Sequence, residues 1–139
     1  MSLLQPGDRS RPQGYAHGIV GEGRTVFVSG QIGWDAAEQF TANDIAGQTR
    51  QALRNIVAIV AEAGGRPEHV MRLTWFITDK DAYLQARAAI GAAYREVMGR
   101  HFPAMSVVVV AALLEAQACV EIEATAVIPV SRAGASIGR

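Results

Sequence analysis

The spacing of apolar positions changes period several times along the chain, and each change marks an element. Residues 25–33, "TVFVSGQIG", alternate apolar with polar and are rich in β-branched side chains, which predicts a strand. The preceding "HGIV", joined through "GEGR", is expected to be its hairpin partner. Gly21 and Gly23 have a fragment of the look of a phosphate loop, but no helix follows directly, so a turn is the better reading. Over 43–64 the period becomes helical: Ile45, Thr49, Ala52, Leu53, Ile56, Val60 and Ala63 form one apolar stripe. Thr41 or Asn43 is placed to cap its start, and Gly64-Gly65 to end it in the left-handed conformation. Strand alternation returns in "VMRLTWFIT" (70–78), with Met71, Leu73, Trp75 and Ile77 on one face. After Asp79 a second helix is expected to bury Tyr83, Ala86, Ile90, Ala93, Tyr94 and Val97, slightly weakened by Gly91 and closed by Pro103. Two further strands, "MSVVVVAAL" (105–113) and "ACVEIEATAVI" (118–128), complete the chain.

The order β-β-α-β-α-β-β predicts an α+β domain: one mixed sheet with two helices on one face. Residues 107–110 are apolar on both faces, like a strand buried on both sides. Two helices cover one face only and no segment is left for the other. Another copy of the chain is the economical cover, so a homo-oligomer is expected from burial alone.

Composition narrows the function classes. A chain of 139 residues, half hydrophobic and only 19% charged, has a real core and room for one domain. Lys plus Arg equal Asp plus Glu at 13 each. That balance disfavours a general nucleic-acid binder and leaves little repulsion against self-association. The single Cys119 has no internal disulfide partner, which fits a reducing, cytoplasmic setting. The opening "MSLLQPGDRSRPQGY" lacks the apolar core of a signal peptide, and no apolar run is long enough to span a bilayer. His17, His69 and His101 are scattered, so surface or packing roles are expected and no metal site.

"VFVSGQI", the helix ending "AEAGG", "VMRLTWFITD", "FPAMS" and "VEIEATAV" together resemble the YjgF/RidA family in order and spacing. Its members are enamine/imine deaminases and their relatives, known in older usage as endoribonuclease L-PSP or translation initiation inhibitors. The resemblance runs from about Tyr15 to Ile128. It implies a domain over 15–129 after an N-terminal extension (1–14) and before a loose tail (130–139). It also implies a chorismate-mutase-like fold, a homotrimer whose assembly buries the second sheet face, and ligand clefts between subunits. Active members hydrolyse 2-imino or 2-enamino acids to 2-oxo acids and ammonia without metal or cofactor. An arginine directly before the serine of the Phe-Pro-Ala-Arg-Ser stretch holds the substrate carboxylate. That position is Met105 here, with Ser106 next to it. Glu121 matches the glutamate that positions or activates water, and Tyr15, Ser29 and Gly30 match residues lining the cleft.

Arginine suits that position because its planar guanidinium gives a carboxylate two parallel charge-assisted bonds. Methionine offers neither charge nor donor, so altered substrate preference is expected. Glu121 and Glu123 leave the same face of their strand with Cys119 and Thr125; Glu121 is the catalytic candidate and Glu123 is read as structural. Cys119 reads as a packing residue and Trp75 as core. Trp34 reads as a lid over the cleft or an interface residue. Arg72 interrupts the outer face of its strand, where a subunit salt bridge is the better reading and a substitute clamp the other. Three functions compete: an imine/enamine hydrolase with altered substrate, a non-catalytic trimer binding a small metabolite, and an RNA-cleaving or translation-inhibiting protein. The zero net charge and the lack of a basic-aromatic pattern count against the last.

Overall fold

A computed structural model describes residues 1–130. In chain order the elements are β1 (Ser2–Leu4), β2 (Gly18–Val20), β3 (Arg24–Gln31), α1 (Ile45–Glu62), β4 (Val70–Ile77), α2 (Lys80–Gln85), α3 (Arg87–Met98), β5 (Ala104–Val109) and β6 (Val120–Ile128). A 3-10 turn, Pro67–His69, leads into β4. The reading of the C-terminal tail as loose falls, beyond Val130, outside the described residues.

β3, β6, β4 and β5 form a four-stranded mixed sheet in that order; β4 and β5 run parallel and the other pairs antiparallel. The expected hairpin between β2 and β3 does not form. β2 pairs instead with β1 in a separate antiparallel ribbon, Leu3 opposite Ile19. Two contacts explain this. Gly23, at φ +148°, packs so closely on the backbone of Ile128 and Pro129 that the chain turns into β3 there. β3 then takes its partners from β6, while Leu4 packs over Gly18 and gives β2 a different neighbour.

The cap of α1 lies one residue beyond Asn43 and three beyond Thr41, the two caps foreseen for it. Asp44, in extended backbone, accepts a hydrogen bond from the Gly47 N–H at 3.1 Å. Gly64, at φ +84°, lies just beyond its C-terminus in the left-handed region that glycine tolerates. Leu53, Ile56 and Val60 of α1 are fully buried against Leu73, Ile77 and Ile122 of the sheet. The expected second helix is broken into α2 and α3. The Ala86 N–H is shared between the carbonyls of Ala82 and Tyr83, a bifurcated helix ending. α3 then buries Ile90, Ala93, Tyr94 and Met98. Glu96 of α3 holds Arg50 and Arg54 of α1 at 3.2 and 2.7 Å, tying the helices together.

β5 stops at Val109 rather than at residue 113. The Val110 N–H donates to Ile77 O at 2.8 Å, and because β4 ends at Ile77 the following residues have no ladder to join. Cys119 likewise stays outside β6, its N–H taken by the Gln48 side chain. Residues 107–109 are 39%, 41% and 54% exposed, so one chain does not supply the two-sided burial their composition calls for. Val107 and Val109 lie on the helix side, opposite Trp75 and Ile77; Val108 lies on the open side, opposite Phe76. Phe27, 81% exposed, is on that open side as well.

Candidate active site

Glu121 sits on β6 opposite Phe76, so its side chain leaves the open face of the sheet. The register of β3 against β6 slips between Val28 and Gln31, placing Ser29 and Gly30 in a bulge. The bulge makes room for Glu121. A Cβ on Gly30 would stand 2.7 Å from Glu121 Cδ and 2.9 Å from its Cγ. Only glycine lets the carboxylate lie against this strand. Glu121 has no hydrogen-bond donor or cation partner among the described residues, and it lines a cavity of about 270 Å³ with Gly30, Trp34, Asn55 and Leu114. A partly buried carboxylate facing open space without a partner can take a proton from water.

Trp34 is partly buried in that wall and packs edge-to-face with Phe40 at 6.1 Å. Asn55 holds the loop in place: its Nδ2 donates to Ile32 O at 3.2 Å and to Trp34 O at 2.8 Å. Ser29 is exposed and accepts from Gln31 Nε2 through its own carbonyl at 3.1 Å.

Met105 lies elsewhere. It pairs with Leu73 across β4 and β5, so it points to the helix side, the opposite face from Glu121. Two cavities meet at Met105. The smaller, about 140 Å³, is also lined by Tyr15, His17, Arg72 and Ser106. The larger, about 600 Å³, is a groove between β5 and α2–α3 that includes Tyr15, Tyr83, Arg87 and Phe102. Tyr15 reaches both because Ala16 bridges Ala104 at the outer edge of β5, with the Ala16 N–H donating to Pro103 O at 3.0 Å. The expected site residues therefore fall into two groups within one chain: Gly30, Trp34 and Glu121 around one cavity, with Ser29 next to Gly30 in the bulge, and Tyr15, Met105 and Ser106 around the cavity of about 140 Å³.

The remaining candidates take quieter places. Glu123 is exposed, and neither it nor Arg72 has an ion-pair partner among the described residues. Burial pushes the Cys119 thiol up, so it stays protonated at neutral pH as a packing residue should. His69 accepts from the Arg66 N–H, His101 bonds Val70 O, and His17 bonds Ser10 O. Trp75 is 4% exposed and belongs to the core.

Four residues escaped notice in the sequence: Gln48, Asn55, Arg87 and Arg95. Gln48 is 1% exposed; it donates to Ala42 O and Gln117 O and accepts from the Cys119 N–H, fixing the loop that enters β6 two residues before Glu121. Gln48 and Asn55 stand seven apart, two turns along the same flank of the apolar stripe. Amides at helical spacing against a buried stripe were the available signal.

The family profile described as Endoribonuclease L-PSP matches residues 9–128. A 2-iminobutanoate/2-iminopropanoate deaminase of Salmonella typhimurium is 37% identical over 108 residues, covering 76% of this chain and 80% of that protein. A Rid-family protein of Yersinia pestis, YyfB, superposes with a TM-score of 0.80 at 30% identity, covering 91% of this chain and 98% of that one. TdcF of E. coli, solved with bound serine, gives a TM-score of 0.65 at 33% identity over 92% of this chain and 99% of its own. The chain belongs to the endoribonuclease L-PSP family, the group also known as YjgF/RidA.

Proposed function

We propose that this chain is an imine/enamine hydrolase whose site is completed between copies of the chain in a homotrimer. The observation that carries the reading is the Glu121 carboxylate, without a partner among the described residues, seated on Gly30 and facing a cavity. The separation of the Met105 group from the Glu121 group supports a site shared between subunits, because neither group is a complete site alone. The exposed Phe27 and Val108 on the open sheet face give a second copy apolar surface to cover.

The chemistry needs water and two proton movements. The water oxygen bonds to the imine carbon while Glu121 takes one of its protons; the C=N electron pair moves to nitrogen, and Glu121 passes that proton on to it. The carbinolamine then collapses: Glu121 moves the hydroxyl proton to the amine, the C–N bond breaks, ammonia leaves with that bond's electron pair, and the carbonyl of the 2-oxo acid forms. Met105 contributes an apolar wall where a guanidinium would hold the carboxylate, so imines of small 2-amino acids are poor substrates. The same residue is the one observation favouring the second reading, a trimer that binds a metabolite without turning it over. No helix of the described residues is long and apolar enough to cross a membrane. The single cysteine supports a cytoplasmic setting.

The test is to generate a 2-imino acid with an amino-acid oxidase and to measure how much is diverted from a semicarbazide trap. The protein should accelerate loss of the imine from 2-amino-4-phenylbutanoate, and Glu121→Gln should slow this by about a hundredfold or more. Little acceleration is expected for 2-iminopropanoate. A protein that binds but never accelerates any imine belongs to the second reading.

A further inference from the structure

α3 carries Arg87, Gly91 and Arg95 at successive four-residue intervals, so all three lie on one helix face. That face lines the groove of about 600 Å³ whose opposite wall includes Met105. The Arg95 guanidinium lies across Gly91, where a Cβ would stand 3.2 Å from its Nη1. Neither Arg87 nor Arg95 has a carboxylate partner among the described residues, whereas Arg50 and Arg54 converge on Glu96. Two guanidiniums beside one groove without counter-charge favour an anion there.

The rest of the groove is aromatic. Tyr94 stacks between Trp75 and Phe102, with centroids 6.3 and 5.3 Å away and planes inclined by 25° and 15°. All three rings line the groove. The Trp75 indole Nε1 is buried without a hydrogen-bond partner among the described residues, an unused donor in the same wall. The volume is that of a small-molecule site, while the cavity holding Arg72 on the other side of Met105 is about 140 Å³.

We propose that Arg87 and Arg95 supply the carboxylate clamp of this site, in place of an arginine at position 105, and that the acid they hold bears an aromatic or similarly bulky apolar group. The inference rests on the reading of the cleft as a site for imino acids. Met105 is then part of the apolar wall on which that group packs, and the clamp has moved from the sheet to the helix.

Calorimetric titration of the full-length protein tests this with three probes: 2-oxo-4-phenylbutanoate, pyruvate, and 4-phenylbutan-2-one, which keeps the phenyl group and lacks the carboxylate. The aromatic acid should bind at least about tenfold more tightly than either of the others. Arg87→Gln and Arg95→Gln, both at exposed positions, should each weaken it by about tenfold and leave the ketone unchanged. Arg72→Gln should have no effect. Gly91→Leu removes no charge but fills the space beneath Arg95; it should raise the melting temperature, because glycine is a poor helix residue, while weakening acid binding. If the double Arg87→Gln, Arg95→Gln protein binds the acid as the wild type does, this clamp is wrong though the cleft still takes acids. If the wild type binds no acid at all, both the clamp and the imino-acid reading fall.

Discussion

Met105→Arg asks how much of the site's divergence lies in one side chain. Met105 is half-buried at the start of β5, beside Tyr15, Arg72 and Ser106. A guanidinium there can hold a short carboxylate through charge-assisted bonds with a net contribution of about 1.5–3 kcal/mol, roughly ten- to hundredfold in affinity. The empty variant carries a penalty. At an effective dielectric of about 20 and a separation on the order of 8 Å, repulsion between two guanidiniums is about 2 kcal/mol. Solvent and salt screening reduce that to about 1 kcal/mol, since Arg72 is exposed. A destabilisation of this size lowers the melting temperature by about 3 °C in a domain of this length. Ligand at a hundred times its dissociation constant restores about 2.7 kcal/mol. Thermal melts should therefore show Met105→Arg about 3 °C below the wild type when empty and about 8 °C higher once saturated with 2-oxobutanoate. The wild type should move much less at the same concentration. Identical melts of the variant with and without the acid would refute the reasoning, since the cleft would then have changed in more than this residue.

Further expectations follow from individual contacts. Gly30→Ala should displace the Glu121 carboxylate at a rotamer cost of about 0.5–1.5 kcal/mol, largely offset by lower unfolded-chain entropy. Its melting curve should thus stay close to wild type while imine hydrolysis falls by about a hundredfold; full activity would remove the bulge from the site. Leu53→Ala, at a fully buried position of α1, should cost about 2–5 kcal/mol in urea unfolding. Burial raises the Cys119 thiol above its ordinary value of 9.0, so the unfolded chain releases that proton first. The stabilising contribution is complete below the ordinary value and declines as pH rises through it toward the folded value. Cys119→Ala should flatten this part of the pH–stability profile, and an unchanged alkaline decline would assign it to other groups.

The parts of the fold legible in the sequence are those whose burial repeats with a single period. α1 and β4 each present one apolar stripe to the core, so their periodicity survives without knowledge of their partners. Pairing is another matter. Nothing local tells β2 to join three residues at the N-terminus rather than the strand that follows it, because the choice depends on how Gly23 packs against Ile128. The end of β5 is set by the end of β4, a long-range fact. Motif resemblance pointed to Glu121, but the bulge that seats it is visible only once β3 and β6 are in register. Arg87 and Arg95 were evenly spaced in the sequence; their significance depends on which way α3 faces after the break at Ala86.

A site shared between copies is tested most directly by subunit mixing. Glu121→Gln disables one group of residues, and Met105→Asp disables the other by setting a charge in the apolar wall on which the bulky group of the substrate packs. Each variant alone should be inactive on the imine of 2-amino-4-phenylbutanoate. If each cleft takes its two groups from neighbouring subunits, equal mixing with free exchange leaves an intact cleft wherever the two unaltered groups meet, and activity recovers to about one quarter of wild type. A mixture that exchanges subunits and remains as inactive as its components would place both groups of each site in a single chain and contradict the shared cleft.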